Sequence, residues 1–329
     1  MSYQPPYTIT PTILKQVAQI SEAIGRLSAQ RDIANTLHLR RANRIRTIQG
    51  SLAIEGNTLS ESQITAILEG KRIIAPPKEV QEVRNALQAY DRLAQWRPTR
   101  EADLLTAHSV LMKGLIDEAG HYRHGGVGVM SGSQVVHMAP GANQVPRLMG
   151  NLFDWLATSG APPLITSCVF HYEFEFVHPF SDGNGRMGRL WQTLILSQWQ
   201  PMFVDIPVES LIFQHQAAYY QALRDSTRQT DSAPFIEFML ATISEALQGA
   251  LSRDEKVRVE MRAETRVKTP EQILALLRRQ PELTLAEVAV HLGRATSTIE
   301  RAVAKLKQQN KLAYHGPKKG GHWQVQEEL

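Results

Sequence analysis

Apolar residues recur at intervals of three and four along most of the chain, which predicts a mainly α protein. In ILKQVAQISEAIGRL, Ile13, Val17, Ile20 and Ile24 fall on one stripe. SESQITAILEG opens with Ser60 as an N-cap and stops at Gly70. PPKEVQEVRNALQAYDRLAQW has prolines at its front and aligns Val80, Val83, Leu87 and Tyr90. Residues 11 to 96 therefore read as mostly helical. From Gly120 to Pro140 the pattern changes: glycine becomes frequent, and VGVMSGSQVVHM reads as two short strands around Ser131-Gly132-Ser133. Helical spacing resumes in PRLMGNLFDWLATS and again from Ser210 to about Val267. Within that last stretch, SRDEKVRVEMRAETRVK (252–268) is charged and poor in core residues, as expected of a linker ahead of a separate C-terminal unit.

Composition narrows the class. A chain of 329 residues is expected to hold two or three domains. With 43% hydrophobic and 21% charged residues it can bury a full core as a soluble protein. No apolar run approaches the roughly 20 residues that span a bilayer. MSYQPPYTITPT has neither the basic start nor the apolar stretch of a secretory signal. The single cysteine, Cys168, excludes an internal disulfide and a multi-cysteine zinc site, and fits a reducing, cytoplasmic location. The net charge of +4 is small, so its distribution matters more than its total.

HPFSDGNGRMGR, from His178 to Arg189, concentrates the candidate chemistry. Gly183 and Gly185 flank Asn184, so successive backbone N–H groups can point to one side. RMGRLWQTLILSQW continues with helical spacing, which sets the glycine turn at a helix N-terminus, where an anion such as phosphate is favoured. Arg186 and Arg189 are three apart and face roughly the same way, enough to hold more than one phosphate. Asp182 at the mouth suits Mg²⁺, which polyphosphates carry with them. His178 precedes Pro179, which ends a preceding helix and leaves a group titrating near neutrality at the rim, able to take a proton from a hydroxyl. These residues describe phosphoryl-type transfer. Other readings remain at this point. GNGRMG matches G-x-G-x-x-G with Asp205 about 20 residues on, but alternating strands and helices are missing. The stretch could also be a capped turn with surface arginines, or His171, Glu175 and His178 could share a helix face around a metal.

The stretch resembles the signature of Fic-domain proteins, His-Pro-Phe-x-[Asp/Glu]-Gly-Asn-Gly-Arg-x-x-Arg, with every fixed position filled. FHYEFEFVHPF is similar to the family's approach helix, and the likeness extends from about residue 45 to 245. The resemblance implies a Fic helical bundle and transfer of AMP from ATP to a Ser, Thr or Tyr hydroxyl of a target protein. It implies His178 as the base and Asp182 as the Mg²⁺ ligand. Asn184 with the amides of Gly183 and Gly185 would cradle the α-phosphate, with Arg186 and Arg189 on the β- and γ-phosphates. Gly185 and Arg189 argue against the kinase-like toxin branch, which places lysine at the second motif glycine.

SLAIEGN, from Ser51, joins the same reading. Ser51 and Glu55 are four apart and share a helix face, and Gly56-Asn57 ends that helix in C-cap style. By itself this is an ordinary surface glutamate. The segment is similar to the family's inhibitory motif, [S/T]-x-x-x-E-[G/N], which implies that Glu55 pairs with Arg189 and keeps ATP from a productive pose. GHYRHGG (120–126) and residues 127–137 resemble the family's flap, whose edge would dock an extended target segment; a plain structural hairpin fits the same residues. Tyr219 and Tyr220 stand where the family's adenine pocket is lined, one of them being expected in the core.

The C-terminal unit has winged helix-turn-helix grammar: a helix, a second after Thr284, HLG as the turn, a third capped near Thr296 or Ser297, and two strands around GPKKGG. Arg294, Arg301, Lys305, Lys307, Lys311, Lys318 and Lys319 face one acid, Glu300, a local net of +6 between 294 and 319. That stripe fits DNA; contact with protein, including a homodimer, fits the fold equally. The expected division is an N-terminal helical region (1–110), a Fic core (111–251), a linker helix (252–268) and the winged unit (269–329). The expectation is an autoinhibited, ATP- and Mg²⁺-dependent protein adenylyltransferase without a membrane partner. A transcription regulator with a nucleotide-sensing Fic fold, or an enzyme removing AMP, are the alternatives.

Overall fold

Helix α1 (Pro11–Gln30) forms on the stripe read from the sequence: Ile13, Ile20, Ile24 and Leu27 are buried and Val17 is partly covered. The computed structural model describes residues 3–30, 36–126, 128–131, 134–266, 269–317 and 321–326. Helix α2 (Thr36–Ile54) closes with Glu55 N–H and Asn57 N–H both donating to Leu52 O, and Gly56 takes φ +89°, so Glu55 sits in the closing turn. In α3 (Glu61–Leu68) the Ser60 cap is reciprocal: Gln63 N–H donates to Ser60 Oγ and Ser60 N–H to Gln63 Oε1. Helix α4 (Pro77–Arg92) starts on proline and buries Val83, Leu87 and Tyr90; α5 (Glu101–Leu111) follows.

Strands β1 (Gly128–Ser131) and β2 (Gln134–Met138) pair antiparallel, with a register shift between Val129 and Met130. Val127 and the expected apex, Gly132 and Ser133, lie outside the described residues. Helix α6 (Val145–Thr158) leads to α7 (Pro163–Val177) and α8 (Asn184–Trp199), which pack on each other and are buried nearly all round, as befits the centre of a bundle. Phe170, Phe174, Phe180 and Trp191 are fully covered there. The helical patterning expected from Ser210 to about Val267 is realised as α9 (Val208–Gln214), α10 (Gln216–Gln229) and α11 (Ala233–Arg266). His215 interrupts the first junction; at the second, Thr230 turns left-handed (φ +52°) and Ser232 N–H donates to Pro6 O.

The chain forms two units, Met1–Ser252 and Arg253–Leu329. One hydrophobic core runs through the first, from Ile13 to Leu247. In the second, α12 (Thr269–Arg279), α13 (Leu285–His291) and α14 (Thr296–Gln308) precede an antiparallel pair, β3 (Leu312–His315) and β4 (His322–Val325). Ile273, Leu277, Val288, Ile299, Val303 and Trp323 form its separate core. Thr284 caps α13 as expected, and Gly293 (φ +58°) makes the turn after it. Helix α14 is capped by Ala295 without a side-chain bond, so Thr296 and Ser297 lie inside its first turn. Lys318, Lys319 and residues 267–268 lie outside the described residues. The described strands are two antiparallel pairs, which removes the dinucleotide-binding alternative; Asp205 instead accepts an ion pair from Arg40 Nε at 3.2 Å. Among the described residues no helix is long and apolar enough to cross a membrane.

Candidate active site

The junction between α7 and α8 is fixed by backbone geometry. His178 ends α7 in the left-handed region (φ +49°, ψ +61°), costly for a residue with a Cβ, and its N–H donates to Phe174 O at 2.9 Å. Pro179 disfavours the right-handed alternative at this position. Arg123, fully buried, holds the strained turn: Nε donates to His178 O at 2.7 Å and Nη2 to Val177 O at 3.3 Å. The same guanidinium donates to Gly125 O at 2.7 Å and Pro140 O at 2.6 Å, at the two ends of the hairpin segment. One side chain therefore couples the base of the hairpin to the histidine.

The turn itself closes on Asn184. Phe180 N–H donates to Asn184 Oδ1 and Asn184 Nδ2 to Phe180 O, each at 2.9 Å. This bidentate brace buries the Asn184 side chain inside the turn. Gly183 precedes α8 at φ +82° and supplies no side-chain cap, so the first-turn N–H groups of α8 and their dipole are offered to another partner. His108 supports the turn from α5. Its ring stacks on Phe180 at 3.6 Å, Gly120 N–H donates to Nδ1, and Nε2 bonds Asp182 O at 3.0 Å. Burial pulls its pKa down to about 4, so it is a neutral Nε2–H imidazole.

The two arginines are buried, and each meets an acid from the N-terminal helices. Arg186 lies between Glu82 Oε1 (3.4 Å) and Asp182 Oδ1 (3.2 Å), and Asn57 Nδ2 holds the other Glu82 oxygen at 2.8 Å. Arg189 Nη2 donates to Glu55 Oε1 at 2.7 Å and to Ser51 O at 2.9 Å, while its Nε donates to Ser51 Oγ at 3.2 Å. Burial alone would lower the Arg189 pKa; Glu55, aided by Tyr219 and Glu175, outweighs it and holds the guanidinium charged well above its ordinary range. Gly185 makes room for the pair, since a Cβ there would meet Glu55 Oε1 directly.

Behind the turn, His171 is buried and neutral, its pKa lowered by burial to about 3. Its Nδ1 bonds Gln192 Oε1 at 2.6 Å and its Nε2 the Tyr219 hydroxyl at 3.1 Å. Tyr219 is thus the core member of the tyrosine pair; Tyr220 is half-buried, edge-on to it at 5.3 Å. Glu175 stands 3.9 Å from His171 Nε2 and 3.8 Å from His178 Nδ1. Those separations, and the commitment of both His171 nitrogens, do not make a metal centre, and no cluster of three metal-ligating side chains occurs among the described residues. The donor set that fits Mg²⁺ is smaller. Asp182 is 48% exposed at the mouth, and a single carboxylate suits an ion that keeps waters and takes its remaining ligands from phosphates.

Residues 98–196 match the model of the Fic/DOC family. A crystal structure of a Fic family protein from Desulfovibrio desulfuricans G20 is 44% identical, covers 99% of both chains and superposes with a TM-score of 0.80. The chain belongs to the Fic family. Fic-1 from C. elegans shares the fold, with a TM-score of 0.60 at 24% identity over 74% of this chain and 73% of that one. Protein adenylyltransferase Fic of Aedes aegypti is 29% identical over 251 residues, 68% of this chain and 48% of its own length. The Nematostella vectensis protein of the same name is 28% identical over 69% of this chain and 54% of its own. The chain thus spans about half the length of these curated relatives. The Fic turn also uses residues that the motif alone did not single out: His108, Arg123, Glu82 and Asn57. Arg123 sits inside GHYRHGG, but nothing local marks its reach to residue 178.

Proposed function

We propose that this Fic protein is an adenylyltransferase that moves AMP from ATP to a hydroxyl of a target protein and is held inactive by Glu55. One observation carries the reading. A carboxylate already lies over the bare Cα of Gly185 and on Arg189, at the first turn of α8, where a phosphate would lie. In the released state the α8 N-terminus and Arg189 would take the phosphates, and Arg186 would neutralise them from its place beside Asp182. His178 would receive the hydroxyl proton as the oxygen attacks the α-phosphorus, and the bond to the β-phosphate oxygen breaks to release pyrophosphate. Asp182 is the residue that would hold Mg²⁺, which supplies charge neutralisation to the phosphates. Tyr220, rather than the core residue Tyr219, is the aromatic side chain offered to the adenine. The β1–β2 edge is the surface assigned to the target segment, which main-chain pairing would register regardless of its sequence. A single, buried cysteine, Cys168, supports a reducing, cytoplasmic compartment.

Incubation of the full chain with labelled ATP tests this. Glu55→Gly should label itself or proteins of a lysate, and the double variant with His178→Ala should not. A Glu55→Gly protein that labels nothing overturns the activity; one that labels no more than wild type overturns the inhibition.

The charge of the second unit favours a further role. Arg294, Arg301, Lys305 and Lys307 are exposed on or beside α14, the third helix of a unit that ends in a hairpin. We read it as a winged helix-turn-helix contacting DNA. Duplex binding by the full chain should weaken steeply with salt, and Arg301→Ala should lower the log–log slope by about 0.9. Binding that ignores salt would assign this surface to protein instead.

A further inference from the structure

Glu175 is a buried acid that none of the roles above uses. It lies on α7 one turn before His178, and its Oε1 is buried without a hydrogen-bond partner. Space is kept for it: a Cβ on Gly188 of α8 would stand 2.9 Å from that oxygen. A carboxyl oxygen left without a partner inside a core is costly. His171 from the same helix cannot give it a proton, because Nδ1–H is spent on Gln192 and Nε2 accepts from Tyr219 O–H. Arg189 from α8 is turned to Ser51 and Glu55 of the α2 end. The Tyr219 hydroxyl from α10 is spent on His171. What remains is His178, whose Nδ1 is 3.8 Å from Oε2.

We propose, resting on the reading of His178 as the base, that Glu175 is its positioning residue: the carboxylate accepts a hydrogen bond from Nδ1–H, holding the proton on that nitrogen, and so leaves the Nε2 lone pair for the target hydroxyl. Hydrogen bonds of this kind are commonly long in an unliganded site and tighten on binding, and an approach of under about 1 Å closes this one. The proton that leaves the hydroxyl goes to Nε2, and the positive charge then on the ring faces an anion. Glu175 itself makes and breaks no covalent bond to the substrates. Burial, opposed by Arg189 and supported by Glu55, pushes the Glu175 carboxyl up to about 8, so at neutral pH the acid still carries its proton for much of the time. The competent form is the one that has lost that proton.

The test uses the full chain in the Glu55→Gly background with Glu175→Gln and Glu175→Leu, and His178→Ala to assign the ring signals. Nitrogen NMR of ¹⁵N-histidine-labelled protein at high pH should show His178 as the Nδ1–H tautomer in the parent and in Glu175→Gln, whose amide oxygen still accepts. In Glu175→Leu it should swing to Nε2–H. Labelled-AMP transfer should fall about tenfold in kcat for Glu175→Gln and further for Glu175→Leu, with KM for ATP unchanged. The acidic limb of the Glu175→Gln profile should move down toward the ordinary imidazole range near about 6.5. A merely structural role would leave both the limb and the tautomer where they are in the parent, and that outcome overturns the proposal. Should Glu175→Leu not fold, the limb of Glu175→Gln decides. Should the parent transfer no AMP at all, the activity reading fails, and the tautomer in the folded variants still decides this one.

Discussion

Arg189 Nη2 and Glu55 Oε1 meet at 2.7 Å across 134 positions of sequence, and the pair is unequal: the Arg189 side chain is 1% exposed and that of Glu55 30%. The acid can therefore leave toward solvent, whereas the guanidinium cannot. Glu55→Gly should lower stability by about 2–3 kcal/mol, because it strands a buried charge. ATP should then raise its melting temperature more than that of wild type, since bound phosphate replaces the lost anion. Transfer should rise at least about tenfold, the factor that corresponds to removing about 1.4 kcal/mol of competing interaction. Melting curves with and without ATP, alongside labelling, check both halves.

Gly185 separates removal of the acid from opening of the site. A Cβ at this position would press on Glu55 Oε1 and lie 3.0 Å from Arg189 Nη1, in the space proposed for the phosphates. Gly185→Ala should thus break the pair without any gain in transfer. It should cost about 1–3 kcal/mol through overpacking and show no ATP-dependent rise in melting temperature. An alanine variant as active as Glu55→Gly would mean that the phosphates lie elsewhere.

Arg123 offers a test of the scaffold rather than of the chemistry. Its planar fork serves four carbonyls, those of Gly125, Pro140, Val177 and His178. A lysine keeps the charge but cannot span that set. Arg123→Lys should lose about 2 kcal/mol of stability from carbonyls left unpaired. It should also lose AMP transfer far more than nucleotide affinity, because the strained His178 turn and the hairpin base move apart. Calorimetric titration with ATP, set against labelling rates, distinguishes the two.

These cases show which layers of the molecule could be read from residue order. The buried faces of α1 and α4, the Ser60 and Thr284 caps and the glycine turn before α8 are written in short-range spacing, and they appear where the spacing puts them. The Glu55–Arg189 pair was legible only through a resemblance, because nothing local relates residues 134 apart. The brace made by Asn184 was hidden for a related reason. An amide beside two glycines suits an anion, but it equally suits the Phe180 backbone four residues away, and closure of the turn takes it. His108 and Arg123 act on main-chain atoms, which every residue type presents alike, so their partners leave no trace in composition or period. At the break after α10, a local bond from Ala233 N–H to Asp231 Oδ1 is joined by one from Ser232 N–H to Pro6 O, at the far end of the chain.

His108 gives the fold a measurable response to acid. The buried ring stays neutral until about pH 4, whereas in the unfolded chain it takes up a proton near its ordinary value of about 6.5. Below that value the unfolded state binds the extra proton, so stability falls as pH falls, and the loss continues until the folded ring protonates too. His171, held neutral to about pH 3, acts in the same direction over a wider window. A His108→Gln variant lacks the first of these titrations. It should be less stable than wild type at pH 7.5, having lost the stack on Phe180 and the bonds to Gly120 and Asp182. Between pH 7 and pH 5 the difference should narrow by about 2 kcal/mol, as wild type alone pays the His108 penalty. Denaturant unfolding of both proteins at pH 7.5, 6 and 5 measures it; a constant difference across that range would show that the ring protonates in the folded state as readily as in the unfolded one.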